Sequence, residues 1–541
     1  MEVELAINTF FVLFCTFLLI WTILGISLFY SGLTQRRSSL TLLASSLLFY
    51  ALVLVDWYIW GYSLCYSPSN NRFIGSLDYA VLRHLSNPSY YLYATSTRGD
   101  IASVVHFLFN GHIKLTCVAL TFPACAAERG RLMPMLVFVL LWSAIVYNPV
   151  VFWFWNDNGW LAVQNSKYPV LDFAGGNCVH IVSGFTALAY SFYVGPRNPK
   201  TLEDYRSSNN SFVVLGLFFV LTGWCGFIAG CDFNFSYNAL YIITETLLCA
   251  CTAGMIWMAI DYYFSAIPLG DCEEIQDIEL QNMGASNCLP YSLRGDGTNA
   301  TREKATKMQR SISVVSFSSG MMCGLVVFTP GGGYVSSGLT IWKAIVFGVV
   351  GGAAGNIGTR LKYFLRVDDA LDIFSVHGVC GVVGSLMVGI FADDVLGSKG
   401  GWVSGNWIQV PYQILGVVVT AVYVFLVNLC LLFIVDHIPG LHLRIDKEYK
   451  KRLRHNSDHN NTDSEPRYPT RSEKAELQGS DAYDLNGEFS MDYMEFIRVI
   501  NPDDYATEPL IYYDQEYRHE NTFVHQDEHE GLRKRGVQEH N

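Results

Sequence analysis

The chain has 541 residues, of which 51% are hydrophobic and only 16% charged, and its formal net charge is −12. So little charge in so long a chain argues against a soluble globular protein, and the acidic balance argues against a nucleic-acid partner. The 14 cysteines are scattered, and no CxxC pair marks a metal site, so most read as small apolar fillers and no cofactor is expected.

The apolar residues fall in runs near the ~20 residues that a helix needs to cross the hydrocarbon core. In chain order they predict eleven spans: 7–31, 40–61, 101–125, 133–155, 171–194, 211–231, 238–264, 311–329, 339–364, 369–392 and 409–435. The first run lacks a basic flank and a small-residue cleavage site, so it reads as a span rather than a removed signal peptide. Basic residues set the orientation. With the N-terminus outside, the inner loops hold Arg36 and Arg37, Arg129 and Arg131, Arg197, Lys200 and Arg206, the 294–310 cluster, and Arg360, Lys362 and Arg366. The outer loops hold only Arg72, Arg83, Arg98, Lys167 and Lys399. The fold class is therefore an all-α membrane protein of eleven transmembrane helices, N-out and C-in. The division is a membrane domain over 1–435 and a cytosolic tail over 436–541. The tail and the 265–310 loop are polar, and the tail reads as largely disordered except about 475–498.

One pattern occurs twice. Asp172, six residues, Val179-His180, then Gly184 is matched by Asp369, six residues, Val376-His377, then Gly381. A histidine inside a span is costly and needs a reason. A single one is most simply a satisfied core residue; two at matching places suggest one paired site. Five spans separate the copies, so they face opposite ways. That predicts two inverted five-helix repeats, with the site near the midplane and the eleventh helix as an extra brace. Two facing imidazoles can share one N–H···N bond, pass a proton, or hydrogen-bond a small amine. A metal would need three or four ligands, and neither Cys178 nor Asp372 recurs in the other copy. Asp172 and Asp369 precede the histidines by about two helical turns, where a carboxylate caps free N–H groups. Gly175 and Gly176 allow a close helix contact or an irregular first turn. Trp153, Trp155 and Trp160 cluster at one span end, and Trp224 with Phe227 at another; these read either as an interfacial belt or as a cation-stabilising surface.

These residues resemble the ammonium transporter family (Amt/Mep/Rh). DFAGGNCVHIVSG at 172–184 and DDALDIFSVHGVCGVVG at 368–384 look like its paired signatures. FYSGL at 29–33, WYIWGYSL at 57–64, AAERGRLMPMLVF at 126–138, GWCGFIAG at 223–230 and TPGGGYV at 329–335 continue the match in order. IVYNPVVFWFWNDNGW at 145–160 looks most like the fungal methylammonium permease branch. The resemblance implies a multi-pass plasma-membrane protein, assembled as a homotrimer with one pore per subunit, that carries ammonium/ammonia and methylammonium. It maps the pore histidines to His180 and His377, the site acid to Asp172, the vestibule tryptophan to Trp155 and one gate phenylalanine to Phe227. Trp224 and Cys231 complete the predicted site.

Three positions depart from the family pattern. Cys231 stands where a serine is usual, and Ile228 where asparagine is usual. The second gate phenylalanine falls at Ile113 or Lys114, neither aromatic, so that role is not carried over. Lys114, His112, Asp56 and Glu245 are unusual inside spans, and Lys114 is expected to pair with Asp56 or Glu245. The function implied is ammonium transport, with deprotonation at the histidines. The rival reading, motivated by the long loop and tail, is an ammonium sensor that signals through the cytosolic tail. An enzyme is not indicated, because no nucleophile or metal set accompanies the histidines.

Overall fold

The computed structural model describes residues 2–85, 90–91, 100–125, 127–202, 205–264, 267–268, 308–310, 312–336, 340–446, 475–477 and 479–485. One compact unit runs Met1–Asp484. The second, Leu485–Asn541, lies outside the described residues but for its first position. Most of the 265–310 loop lies outside them too, as does the predicted ordered tail beyond 485.

The described body is helical. In chain order come α1 (Glu2–Leu33), α2 (Arg36–Tyr66), α3 (Ser103–Cys125), α4 (Leu132–Trp155), α5 (176–194), α6 (Asn210–Gly230), α7 (Tyr237–Phe264), α8 (Val314–Phe328), α9 (Trp342–Leu365), α10 (Phe374–Phe391) and α11 (Gln409–His437). Among the described residues, nine helices are long and apolar enough to cross a bilayer, and α8 is apolar but shorter. The chain is a multi-pass membrane-type protein. Large apolar side chains such as Phe10, Phe17, Phe218 and Phe433 are exposed on it. In water they would be an aggregation hazard; in lipid they are satisfied.

Glycines bring the central helices together. A Cβ on Gly25 of α1 would lie 2.6 Å from the Gly216 carbonyl oxygen and 2.6 Å from the Val220 nitrogen of α6. A Cβ on Gly216 would lie 2.6 Å from the Gly25 carbonyl oxygen and 2.6 Å from the Phe29 nitrogen. The contact is thus reciprocal. It continues from Gly32 against Val213 to Gly226 against Leu18, so the two helices run antiparallel with their backbones touching. Without a hydrophobic drive between helices in lipid, such close packing is what holds them.

Four helices contain π-helical turns, at Trp57–Gly61, Ser143–Tyr147, Gly176–Ile181 and Phe374–Val379. The last two hold His180 and His377. A π-turn inserts one extra residue per turn and re-aims the side chains around it.

Polar groups close one end of the bundle. Arg197 pairs with Asp368 at 2.9 Å and with Glu128 at 2.9 Å, and Glu128 also accepts from Thr34 Oγ1 and the Gln35 N–H at 3.0 Å. Burial pushes the Asp368 carboxyl up, but Arg129 and Arg197 outweigh it and hold the group well below the usual carboxylate range. The tail residues 479–484 dock beside this cluster. Helices α2 and α4 have no capping side chain of their own at Gln35 and Arg131. The tail places carboxylates near both: Asp484 accepts the Leu132 N–H at the start of α4 at 3.1 Å, and Asp481 accepts the Thr41 N–H, in the second turn of α2, at 2.7 Å. Glu476 forms a buried ion pair with Arg444, which also donates to the Pro196 carbonyl. Burial and the nearby Asp481 push the Asp484 carboxyl up to about 6, against the opposing pull of the Leu132 N–H and Arg131.

Candidate functional site

The site forms where α5 crosses α10. Gly184 of α5 sits directly on the backbone of Gly378 in α10, leaving no room for a Cβ. At the other side of the crossing, a Cβ on Gly381 would lie 3.0 Å from His180 Cβ and 3.3 Å from the Gly176 carbonyl oxygen. The glycines of the repeated pattern are therefore the contact points that let the two histidines meet. His180 Nδ1 lies 3.3 Å from His377 Nδ1, with ring centroids 5.4 Å apart and ring planes within 14°. Both imidazoles are fully buried.

Tyr30 of α1 extends the pair. Its Oη lies 3.1 Å from His377 Nε2. Only one proton fits between the two Nδ1 atoms, so in a neutral pair the tautomers are linked. If the phenol donates to His377 Nε2, His377 Nδ1–H donates to His180 Nδ1, and the one ring proton of His180 sits on Nε2. The reverse order leaves the His180 Nε2 lone pair open. That atom has no hydrogen-bond partner among the described residues.

Trp224 of α6 stacks on His180, with centroids 5.6 Å apart and planes within 6°. Phe227 meets Trp224 edge-on at 5.3 Å. Phe227 is fully buried and reaches the histidines through Trp224. The Trp224 indole N–H has no partner among the described residues.

Asp172 begins α5. Its Oδ1 accepts the N–H groups of Gly175 and Gly176 at 2.9 and 2.6 Å, and its Oδ2 those of Asn177 and Cys178 at 2.8 and 3.1 Å. Four amide donors at a helix start converge on one carboxylate, an arrangement that fixes charge and backbone together. Gly175 has φ +115, which L side chains rarely adopt, and this lets the chain turn into the π-helical start. Asp369 differs: it accepts the Phe374 N–H at 2.7 Å through Oδ2, while Oδ1 has no partner. The repeat is thus closer at its histidines than at its acids.

A vestibule of about 60 Å³ opens on the Asp172 side. α2 contributes Tyr66, α3 contributes Asn110 and Ile113, and α4 contributes Phe154 and Trp155. Asp157, Asp172, Cys231 and Phe233 complete much of the wall. Trp155 is anchored by its indole N–H, which donates to the Asp172 carbonyl at 2.8 Å. Tyr66 Oη donates to Asn110 Oδ1 at 2.7 Å. Aromatic faces beside carboxylates form a surface suited to a small cation. The predicted residues therefore fall in two groups. Trp155, Asp172 and Cys231 line the vestibule, whereas His180, His377, Trp224 and Phe227 stack beyond its walls. Helices α5 and α6 run from one group to the other.

The departures resolve into separate places. Ile113 faces the vestibule. Lys114, one residue on, points away and pairs with Asp56 at 2.7 Å; Glu245 is not its partner. Sequence reading missed Tyr30, Asn110 and Phe233. Tyr30 lies within the FYSGL motif, which flagged the segment but not the side chain. Phe233 has φ +54, an uncommon conformation for a bulky residue, and packs edge-on against Phe109 at 5.8 Å. No sequence signal marks such a conformation.

Comparison with known proteins decides the family. The model of the Ammonium Transporter Family matches residues 10–267 and 299–463. The chain belongs to the Ammonium Transporter Family. It is 37% identical to Ammonium transporter 1 of Schizosaccharomyces pombe over 433 residues, covering 78% of this chain and 75% of that one. It is 34% identical to Ammonium transporter MEP2 of Saccharomyces cerevisiae over 439 residues, covering 78% and 76%. The crystal structure of Saccharomyces cerevisiae Mep2 superimposes with a TM-score of 0.66 at 33% identity, covering 81% of this chain and 89% of that one. The family is one of transporters rather than enzymes, and the fungal likeness read from residues 145–160 agrees with these relatives.

Proposed function

We propose that this member of the ammonium transporter family recruits ammonium at the vestibule, deprotonates it at the histidine pair and conducts ammonia to the cytosol. The observation that carries the reading is the 3.3 Å approach of His180 Nδ1 to His377 Nδ1, with His180 Nε2 unpartnered among the described residues. When the Nε2 lone pair is open, an arriving ammonium ion gives it one proton and leaves as neutral ammonia. The added positive charge passes across the Nδ1···Nδ1 contact to His377. Trp155 and the neighbouring carboxylates draw the cation in, and Trp224 with Phe227 encloses the imidazole.

The proposal places eleven spans in the plasma membrane with the N-terminus outside, as two inverted five-helix repeats and one brace, assembled as a homotrimer. The antiparallel pairing of α1 with α6 and of α5 with α10 supports the inverted repeats. Methylammonium is a further substrate. The test is the double variant His180→Ala with His377→Ala expressed in oocytes. Ammonium-coupled current should vanish; unchanged current refutes the role. The sensor reading keeps one supporting observation, the tail residues docked on α2 and α4. Growth of a transport-deficient yeast on low ammonium separates the two, since a sensor without transport does not rescue it.

A further inference from the structure

Glu245 lies eight residues into α7, about 12 Å from the helix start at ~1.5 Å per residue. Its side chain is buried, and among the described residues neither carboxylate oxygen has a partner in hydrogen-bond geometry. Ser336 lies beside it, also buried, with a hydroxyl that has no partner in hydrogen-bond geometry. The charged groups acting on Glu245 are Lys343 of α9 and Asp393, which follows α10. Among the described residues, α6 and α8, which also pack on α7, add no charged group to it. Lys343 is already engaged: its Nζ donates to both Asp393 oxygens at 2.8 Å and to the Phe391 carbonyl at 2.9 Å. Two carboxylates and one ammonium leave one negative charge uncompensated. Three other buried acids are met: Asp56 has Lys114, Asp172 has four N–H groups and Glu476 has Arg444. An isolated buried carboxylate is costly, and an ionisable group inside a membrane protein without a partner calls for one.

We infer that Glu245 and Ser336 form a binding site for one small, hydrogen-bond-donating monovalent cation, a proton or ammonium, set behind the vestibule wall. Its place follows from the chain: Tyr334 lines the vestibule, its carbonyl accepts the Asp393 N–H at 2.8 Å, and Ser336 comes two residues later. One carboxylate and one hydroxyl are far too few oxygens for calcium or magnesium, which take about six or more. They suit a cation that donates hydrogen bonds: the carboxylate supplies the charge, and the hydroxyl oxygen accepts. The site is separate from the histidine pair and does not depend on how that pair works.

The test is binding, not transport. Wild-type protein and Glu245→Gln are purified in detergent, and thermal unfolding is followed between about pH 5.5 and 8.5 with N-methylglucamine as the only added cation. The same series is run at fixed pH with ammonium chloride or sodium chloride at matched ionic strength. A ligand that binds the folded state raises Tm by mass action. The site predicts that wild-type Tm, relative to Glu245→Gln, rises on acidification if the ligand is a proton, or with ammonium at fixed pH if it is ammonium. Ammonium bound in the pore affects both proteins and cancels in the difference. A difference that is flat in pH and in ammonium overturns the proposal, and so does equal stabilisation by sodium. If Glu245→Gln does not fold, Ser336→Ala, which keeps the carboxylate, is measured against wild type in the same series. A several-fold shift of its ammonium or pH midpoint supports the site, and unchanged midpoints in both refute it.

Discussion

Tyr30 and His377 stand 347 positions apart in the chain, yet Tyr30 Oη lies 3.1 Å from His377 Nε2. The phenol fixes which nitrogen of His377 faces His180. A buried hydrogen bond of this kind contributes about 1 kcal/mol net. Tyr30→Phe should therefore lower the maximal ammonium current roughly 5- to 10-fold, since ~1.4 kcal/mol is tenfold in rate. The half-saturating concentration should move little, because Tyr30 is not part of the vestibule wall. A concentration series in oocytes measures both. A shift in half-saturation at unchanged maximal current would place Tyr30 in recruitment instead.

The Lys114–Asp56 pair is the second test. It joins three helices: Lys114 of α3 reaches Asp56 of α2 at 2.7 Å and Asn148 of α4 at 3.1 Å, and Ser143 of α4 also donates to Asp56. Its ammonium lies 5.1 Å from the Trp57 ring centroid and 5.5 Å from that of Tyr147. Lys114→Met leaves the carboxylate without its cation, with only the Ser143 hydroxyl and the Trp60 indole N–H donating to it, and should cost about 3–5 kcal/mol. Adding Asp56→Leu removes the orphaned charge and should recover most of that loss. Unfolding of the purified variants gives both numbers. A double variant as unstable as the single one would show that lost packing, not charge, is responsible.

The meeting of His180 and His377 was readable before the structure because the Asp, six residues, Val-His, three residues, Gly pattern occurs twice, a signal that a single residue cannot give. The helices were readable because lipid demands long apolar runs. What could not be read is instructive. Tyr30 meets His377 only through the antiparallel packing of distant helices, which no local periodicity encodes. The choice between Asp56 and Glu245 as partner of Lys114 depends on which helix neighbours α3, and composition does not say. The difference between Asp172 with four amide donors and Asp369 with one arises from the Gly175 turn, although both acids occupy the same place in the repeat.

The glycines of the crossing give a third test. Gly184 rests on the Gly378 backbone, and backbone cannot move aside as a flexible side chain can. Gly184→Ala should push α5 from α10 and widen the Nδ1···Nδ1 separation. Overpacking of this kind costs about 1–3 kcal/mol or more. On the proposed proton transfer, current should fall further than expression does, because a gap between the imidazoles interrupts the transfer before it unfolds the protein. Gly331→Ala, whose nearest neighbours are side-chain atoms at 3.1 Å and beyond, serves as the milder control. Equal losses in both variants would remove the special role of the crossing.

The tail contact carries a pH dependence whose sign follows from Asp484. In the docked state its carboxyl is pushed up to about 6, above its ordinary value of 3.8, chiefly by burial. A raised value means that the docked state binds the proton more tightly than the released state. The contribution to docking is then fully present below about pH 4 and is lost as pH rises through 6. Hydrogen exchange of residues 479–484 in the intact protein, corrected for intrinsic rates, should show protection that falls between about pH 4 and 6 and is level above that. Asp484→Asn holds the side chain neutral throughout and should flatten that profile. Asp481→Ala should act differently: it removes the acceptor of the Thr41 N–H and hydroxyl in α2, both at 2.7 Å, and so should lower protection at every pH. A profile that stays steep in Asp484→Asn would assign the titration to Glu476, whose carboxyl burial also pushes up despite its pairing with Arg444.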